Sequence, residues 1–400
     1  LSQFGHRLLS LWPLEAGITY LNHGTVGVTP WQVLNAQQAI REEIERQPSR
    51  YLLRELSELS GSSRLAQPRL RVAAQKVAEF LGARGEDLAF VANATTGVNA
   101  VLRSLKFREG DEILIPNLAY GAVVNAATFV AREQGARVVR LELPFPVADP
   151  GVYLELLEKA LTPRTRLAIL DHITSETALI LPLAEMAALC RAQGVRVLAD
   201  GAHAPGQIPL DLPSLGVDWY AGNLHKWAMA PRGCGILWAD PQHQAELHPP
   251  VISWGLDQGF TREFDWVGTQ DPSAYLAAPE GLRFMQELGL QAMRGYNHTL
   301  AWRTARELTD RWGLPLPTPE SMVGSMVTLP LPSQPGCRPE EAAQLKDWLL
   351  FERALEVPIL AIDGRLWARI SIQVYNDPAD LERFAAAVET WRRSSPLAAS

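Results

Sequence analysis

Cysteine is scarce in this 400-residue chain. Cys190, Cys234 and Cys337 are the whole supply, and they lie far apart in no metal-like spacing. That argues against a disulfide framework or a thiolate metal centre, and no metal is expected. It fits a reducing compartment, so a cytoplasmic location is expected. Positive charge is also short. The 37 Lys and Arg against 44 Asp and Glu leave a net charge of −7, which offers no basic surface to nucleic acid. No apolar run reaches the ~18 residues needed to cross a bilayer. The segment "LSQFGHRLLSLWPLEAG" lacks the basic stretch and apolar core of a secretory leader, so neither membrane nor secretion is expected. Internal repeats, low-complexity segments, a Walker-type loop and a dinucleotide fingerprint are all missing.

What is present is an alternation. Short β-branched runs at 88–93, 112–116, 136–141, 166–172, 195–200, 217–222 and 233–239 are separated in several places by helical patterns, as at 95–106, 120–134 and 182–193. Near-continuous apolar strands with helices between them predict an α/β fold: a mostly parallel seven-stranded sheet covered on both faces. After about residue 275 the pattern changes. Long helical stretches (275–312, 339–355, 378–393) flank strands at 322–329 and 366–373. We therefore expect a large domain over 26–275, a smaller α+β C-terminal domain over 276–400, and an arm, 1–25, packing on the small domain.

Ligands of open parallel sheets bind at the carboxyl ends of the strands. Polar residues cluster there: Asn93 to Gly97, Pro116 to Tyr120, Asp171 to Glu176, Asp200 to His203, and Gly222 to Lys226. Thr95 or Thr96 starts a helix, where unpaired N–H groups and hydroxyls make an anion site. Asp200 closes a buried strand, where a carboxylate is costly without a cation or donors. Lys226 sits in the largely apolar run "YAGNLHKWAMAPRGCGILWA", where burial lowers an amine's pKa and makes it nucleophilic toward an aldehyde. A phosphate site, a carboxylate for a pyridinium nitrogen and a nucleophilic lysine, in that order, are the demands of pyridoxal 5'-phosphate (PLP).

The ordered set extends across the chain: "TYLNHGTVGVTP" (19–30), "REEIERQPSRYLLREL" (41–56), "VANATTGVNAVLRSL" (91–105), "PNLAYGAVVNA" (116–126), "DHITSETALILP" (171–182), "ADGAHAPGQIPLDL" (199–212), "GNLHKW" (222–227), "EVPI" (356–359) and "WARISIQVYN" (367–376). With these motifs the sequence resembles the class V group of fold-type I PLP-dependent enzymes, and within it the isopenicillin N epimerase-like branch. The resemblance implies the following roles. Lys226 forms the Schiff base and moves the α-proton. Asp200 faces the ring nitrogen. His203 and Ser175 lie near the phenolic oxygen, and Tyr120 stacks on the ring. Thr95, Thr96 and His225 contact the phosphate. Thr269 reaches the phosphate of a neighbouring subunit in a homodimer. Arg369 clamps the substrate carboxylate as a bidentate fork. Asn22, His23 and Gly24 line the substrate mouth.

The resemblance implies epimerase or racemase chemistry through a substrate–cofactor imine deprotonated at Cα. A class V aminotransferase and a C–S lyase are the alternatives. The cysteine of class V desulfurases has no counterpart in "LLFERALEVPILAIDGRLW" before Arg369. Epimerisation by two bases needs a partner for Lys226, and Tyr120, His203 and the His23 region are candidates. More remote readings are a metal-dependent hydrolase built on Asp171, His172, Asp200, His203 and His225, and a non-catalytic scaffold.

Overall fold

The computed structural model describes residues 3–61 and 63–394. Residues 1, 2, 62 and 395–400, which fall within the three expected units, lie outside the described residues. After β1 (Thr19–Tyr20) comes the central sheet. Its strands are β2 (Leu88–Val91), β3 (Glu112–Pro116), β4 (Arg137–Leu141), β5 (Thr165–Asp171), β6 (Arg196–Gly201), β7 (Trp219–Asn223) and β8 (Gly235–Ala239). The order is β2-β8-β7-β6-β5-β3-β4, and only β8 runs against its neighbours. The sheet is thus mostly parallel and seven-stranded, as the apolar runs predict.

Successive residues of a strand point to opposite faces, and both faces here are buried. In β5, Leu167 and Ile169 join the apolar layer beneath the helices Ala94–Ser104 and Gly121–Gln134, while Ala168 and Leu170 join the layer on the other side. The edge strand β4 carries exposed Arg137 and Arg140, which discourage pairing with another strand. β2 ends two residues before its expected limit because Asn93 leaves the ladder to cap the following helix.

The remaining strands are β9 (Met326–Pro330), β10 (Leu355–Glu356), β11 (Ile359–Ile362) and β12 (Arg365–Ser371). β11, β12 and β9 form an antiparallel sheet, and β1 pairs in parallel with β10. β9 starts later than expected because Glu320–Met322 forms a 3-10 turn first. The stretch expected as one helix over 275–312 is three: Ser273–Leu276, Ala278–Leu288 and Leu290–Trp312. Gly289, at φ +86°, breaks the last two, a conformation that glycine adopts without a Cβ penalty.

A separate apolar cluster holds this C-terminal region together and takes in Trp12, Leu21 and Val28 from the N-terminal segment. That segment is tied down at both ends. His6 pairs with Asp377 and Asp380, and Asn22 bridges to Ser371. The helix Ala278–Leu288 gives Leu282 to a core layer of the central sheet and Phe284 to the C-terminal cluster. Among the described residues no helix is long and apolar enough to cross a membrane.

Candidate active site

A cavity of about 210 Å³ opens at the carboxyl ends of the central strands. Its lining includes Asn93, Thr95, Tyr120, Asp171, Ser175, Asp200, His203, Asn223, His225 and Lys226, joined by Thr25 from the N-terminal segment. Strand geometry explains the gathering. β3, β5, β6 and β7 point the same way, so the residues that follow them emerge at one edge.

One wall is the start of the helix Ala94–Ser104. Asn93 Oδ1 accepts the Thr96 N–H at 2.9 Å and the Thr96 hydroxyl at 3.1 Å. Asn223 Oδ1 accepts the Ala94 N–H at 2.8 Å. Thr95 is therefore the threonine that faces the cavity, while Thr96 is spent on the cap. Sequence reasoning treated the two alike. Asn93 and Asn223 lay inside the strand-end stretches it had singled out, but were given no role of their own.

Lys226 follows β7 and is mostly buried. Burial, helped by the charge of Arg369, lowers its pKa from 10.5 to about 8. At pH 7 that gives roughly 300 times more neutral amine than an ordinary lysine holds. Its Nζ lies 3.1 Å from His203 Nε2. His203 is buried and, because charge on it would be desolvated, stays neutral. Its Nδ1 has no partner, an exception among buried polar atoms. Asp200 Oδ1 accepts the Ala202 N–H at 3.0 Å. Asp171 ends β5 in register with Asp200, and burial raises the pKa of both. Two such charges about 5 Å apart, the spacing of neighbouring strands, repel by roughly 3 kcal/mol at an effective dielectric constant of ~20.

His225 donates from Nδ1 to the Cys234 carbonyl at 3.0 Å, and burial lowers its pKa to about 4. The neutral ring then offers Nε2 only as an acceptor. Tyr120 lines the cavity and is half exposed. Thr269 is exposed, beyond the helix Phe260–Asp265, and does not line this cavity. Its service to a neighbouring subunit is a proposal, which sedimentation of cofactor-loaded protein tests.

The N-terminal segment supplies the opposite side. Arg369 on β12 donates from Nη1 to the Ser175 carbonyl at 2.7 Å and from Nη2 to Asn22 Oδ1 at 3.4 Å and to the Thr25 hydroxyl. Its Nε has no partner. Asn22 is held in turn by Glu356, at 2.8 Å. Arg369 is not itself in the cavity wall, but Thr25 and Ser175 are. Thr25, one residue past the stretch expected at the substrate mouth, is the one that lines it.

His23 and Gly24 lie elsewhere than expected. His23 is fully buried. It donates from Nε2 to the Lys226 carbonyl at 2.9 Å, and its Nδ1 meets the Tyr375 hydroxyl at 3.0 Å. It braces the lysine loop from behind, and burial holds its pKa at about 4. Gly24 is wedged against Met326, Ser371 and Trp227. At Gly27, φ +68°, a Cβ would lie 1.9 Å from the His225 carbonyl oxygen, so only glycine lets this segment pass the lysine loop.

Four of the five residues of the metal-hydrolase alternative line this cavity, but among the described residues their ligand atoms do not meet at one point. His172 Nδ1 faces the Tyr220 hydroxyl at 2.9 Å, and His225 Nδ1 is taken. Among the described residues, three ligand atoms come together only at His6, Asp377 and Asp380, on another face.

Comparison with known proteins agrees with this geometry. The family model for aminotransferase class-V matches residues 21–341. The chain belongs to the class-V aminotransferase family. Isopenicillin N epimerase of Streptomyces clavuligerus is 32% identical over 394 residues, covering 94% of this chain and 95% of that protein. L-cysteine desulfhydrase of Arabidopsis thaliana is 30% identical over 421 residues, covering 97% and 89%. Among solved structures, the cystine C–S lyase C-DES with its product cysteine persulfide superposes with a TM-score of 0.74 at 25% identity, covering 93% of this chain and 97% of that one. A C-DES variant with glycine covalently linked to the PLP cofactor gives a TM-score of 0.76 at 23% identity, covering 94% and 98%. The fold is that of fold-type I PLP enzymes.

PLP is the cofactor of this enzyme, and the residues fit it. A poorly hydrated amine suits its aldehyde. A buried carboxylate with a single backbone donor suits its ring nitrogen. The His203 nitrogen without a partner and Thr95, at the helix start, belong to the same cavity.

Proposed function

We propose that the enzyme removes the α-proton of a cysteine-like amino acid and expels the sulfur at Cβ, as a C–S lyase. One observation carries this reading: Lys226 places an amine of lowered pKa in the cavity wall, and elimination needs a single base at Cα.

PLP, when bound, supplies an aldehyde for the substrate amine and a cationic ring that withdraws electrons from Cα. The chain supplies the rest. Arg369, pre-set by Asn22, Thr25 and Ser175, orients the α-carboxylate. Lys226 takes the α-proton, and its neutral form is accessible near pH 8. His203, neutral and 3.1 Å from Nζ, holds the amine in place. Asp200 would hold the ring nitrogen protonated, and Thr95 with the helix start would hold the phosphate. One base at Cα is enough for elimination. The desulfhydrase at 30% identity and the structural likeness to a C–S lyase support this reading.

Epimerisation is the second reading. It is favoured by the epimerase at 32% identity and by Tyr120, a hydroxyl in the cavity wall that could return a proton to the other side of Cα. Incubation with L-cysteine and an amino-acid panel in D2O separates them. Elimination turns cysteine and water into pyruvate, ammonia and sulfide. Epimerisation gives α-deuterated amino acid of inverted configuration and no sulfide, and that result would refute the lyase. Keto acid without sulfide would mark an aminotransferase.

A further inference from the structure

Asp171 is a cavity group that neither cofactor binding nor proton transfer has used so far. It ends β5 and pairs in register with Asp200 at the end of β6. Partnered residues of adjacent parallel strands carry their side chains on the same face, and both carboxyl groups line the cavity. Their surroundings differ. Asp200 has a backbone donor, the Ala202 N–H at 3.0 Å, and lies in the field of Lys226. Asp171 is 2% exposed, and among the described residues its only donor is its own backbone N–H. The other titratable groups nearby give it no cation. On its own strand end, His172 faces the Tyr220 hydroxyl of β7. His203, after β6, is neutral and faces Lys226, after β7, whose charge acts on Asp200 instead.

We propose that Asp171 is kept as a neutral carboxylic acid, and that its proton lets Asp200 remain the single anion at the floor of the cavity. Two ionised carboxylates would overmatch one cationic ring nitrogen. One proton between them balances the charge. Burial and the Asp200 charge both push Asp171 above the usual carboxylate range, so it holds its proton to higher pH. Asp171 is in this sense a positioning residue, acting through Asp200.

The inference rests on the placement of the ring nitrogen at Asp200 and not on which amino acid is consumed. Infrared spectroscopy of the cofactor-loaded enzyme tests it. The spectra are taken well above the pKa of about 6 to which burial raises Asp265, so that this second buried acid is ionised. The expected result is one protonated-carboxyl carbonyl band. It shifts when aspartate is labelled with 13C, and it disappears in Asp171→Asn while the cofactor absorbance is kept. The labelling arm needs no variant and stands even if Asp171→Asn folds poorly. Absence of the band in the native enzyme, or its survival in Asp171→Asn, would overturn the proposal. Either result leaves the sulfide assay for the lyase reading untouched.

Discussion

The two sides of the cavity are built by different means. The cofactor side hangs from the central sheet. Asp200, Asn223 and Asp171 are strand residues, Lys226 and Thr95 follow strand ends within a few residues, and ladder hydrogen bonds fix where each emerges. The substrate side is assembled from segments remote in sequence. Asn22 and Arg369 are 347 residues apart and meet through side chains. Arg369 is laddered into the three-stranded sheet, but the N-terminal segment that meets it has thinner backbone support: the two-residue β1–β10 pairing and the bridge from Asn22 to Ser371. Few buried backbone hydrogen bonds mean low local stability. The difference implies that cofactor loading and substrate capture can be damaged separately.

The sharpest break is on the cofactor side. Lys226→Ala removes the amine proposed to bond the aldehyde and to act as the base at Cα. We expect turnover to fall by at least the ~10²–10⁴-fold typical of losing a general base, and borohydride to fix no cofactor to the protein. Covalent cofactor retained in that variant would move the bond to another residue. The native lysine has a pH signature. The amine attacks only when neutral, and its pKa is lowered, so aldehyde capture by the cofactor-free protein rises tenfold per pH unit and levels off near pH 8. A plateau delayed to about pH 10 would show that burial does not tune this amine.

On the substrate side, Arg369→Lys keeps the charge and loses the fork. Truncating a buried charged hydrogen-bonding group costs about 2–5 kcal/mol. We expect kcat/KM to drop by about 100-fold, mostly through KM, with cofactor absorbance unchanged. Equal loss of cofactor and substrate binding would show that the two sides are one mechanical unit.

The same contrast governs what could be read from the sequence. The inner central strands were legible because a buried strand writes itself as an apolar run, as in "EILIP" and "RLAILD", while the edge strand β4 shows only its β-branched pair Val138 and Val139. That Lys226, Asp200 and Thr95 would gather in one cavity was legible because the strand-end rule says where to look. Thr25 and Glu356 were not, because their roles depend on contacts with Arg369 and Asn22 that no local pattern announces. His23 misled for the opposite reason. It sits beside the mouth in sequence, yet its ring turns inward to Tyr375 and the Lys226 carbonyl. The two-residue strands β1 and β10 are too short for any period to register.

A smaller perturbation sharpens the comparison within the cofactor side itself. Asn93 touches the cavity, but its amide oxygen serves Thr96, so its removal acts through the helix start. Asn93→Ala gives up a cap worth about 1 kcal/mol. The first turn then frays, and the Thr95 N–H is held less firmly toward the proposed phosphate site. We expect PLP to bind about five- to tenfold more weakly, with thermal stability slightly reduced. Pyridoxal without its phosphate should bind native protein and variant equally, because it makes no use of the helix start. An equal loss for both forms would place the damage in the fold at large. A loss confined to the phosphorylated form would show that the strand-end side works as a set of separately adjustable contacts on a rigid frame.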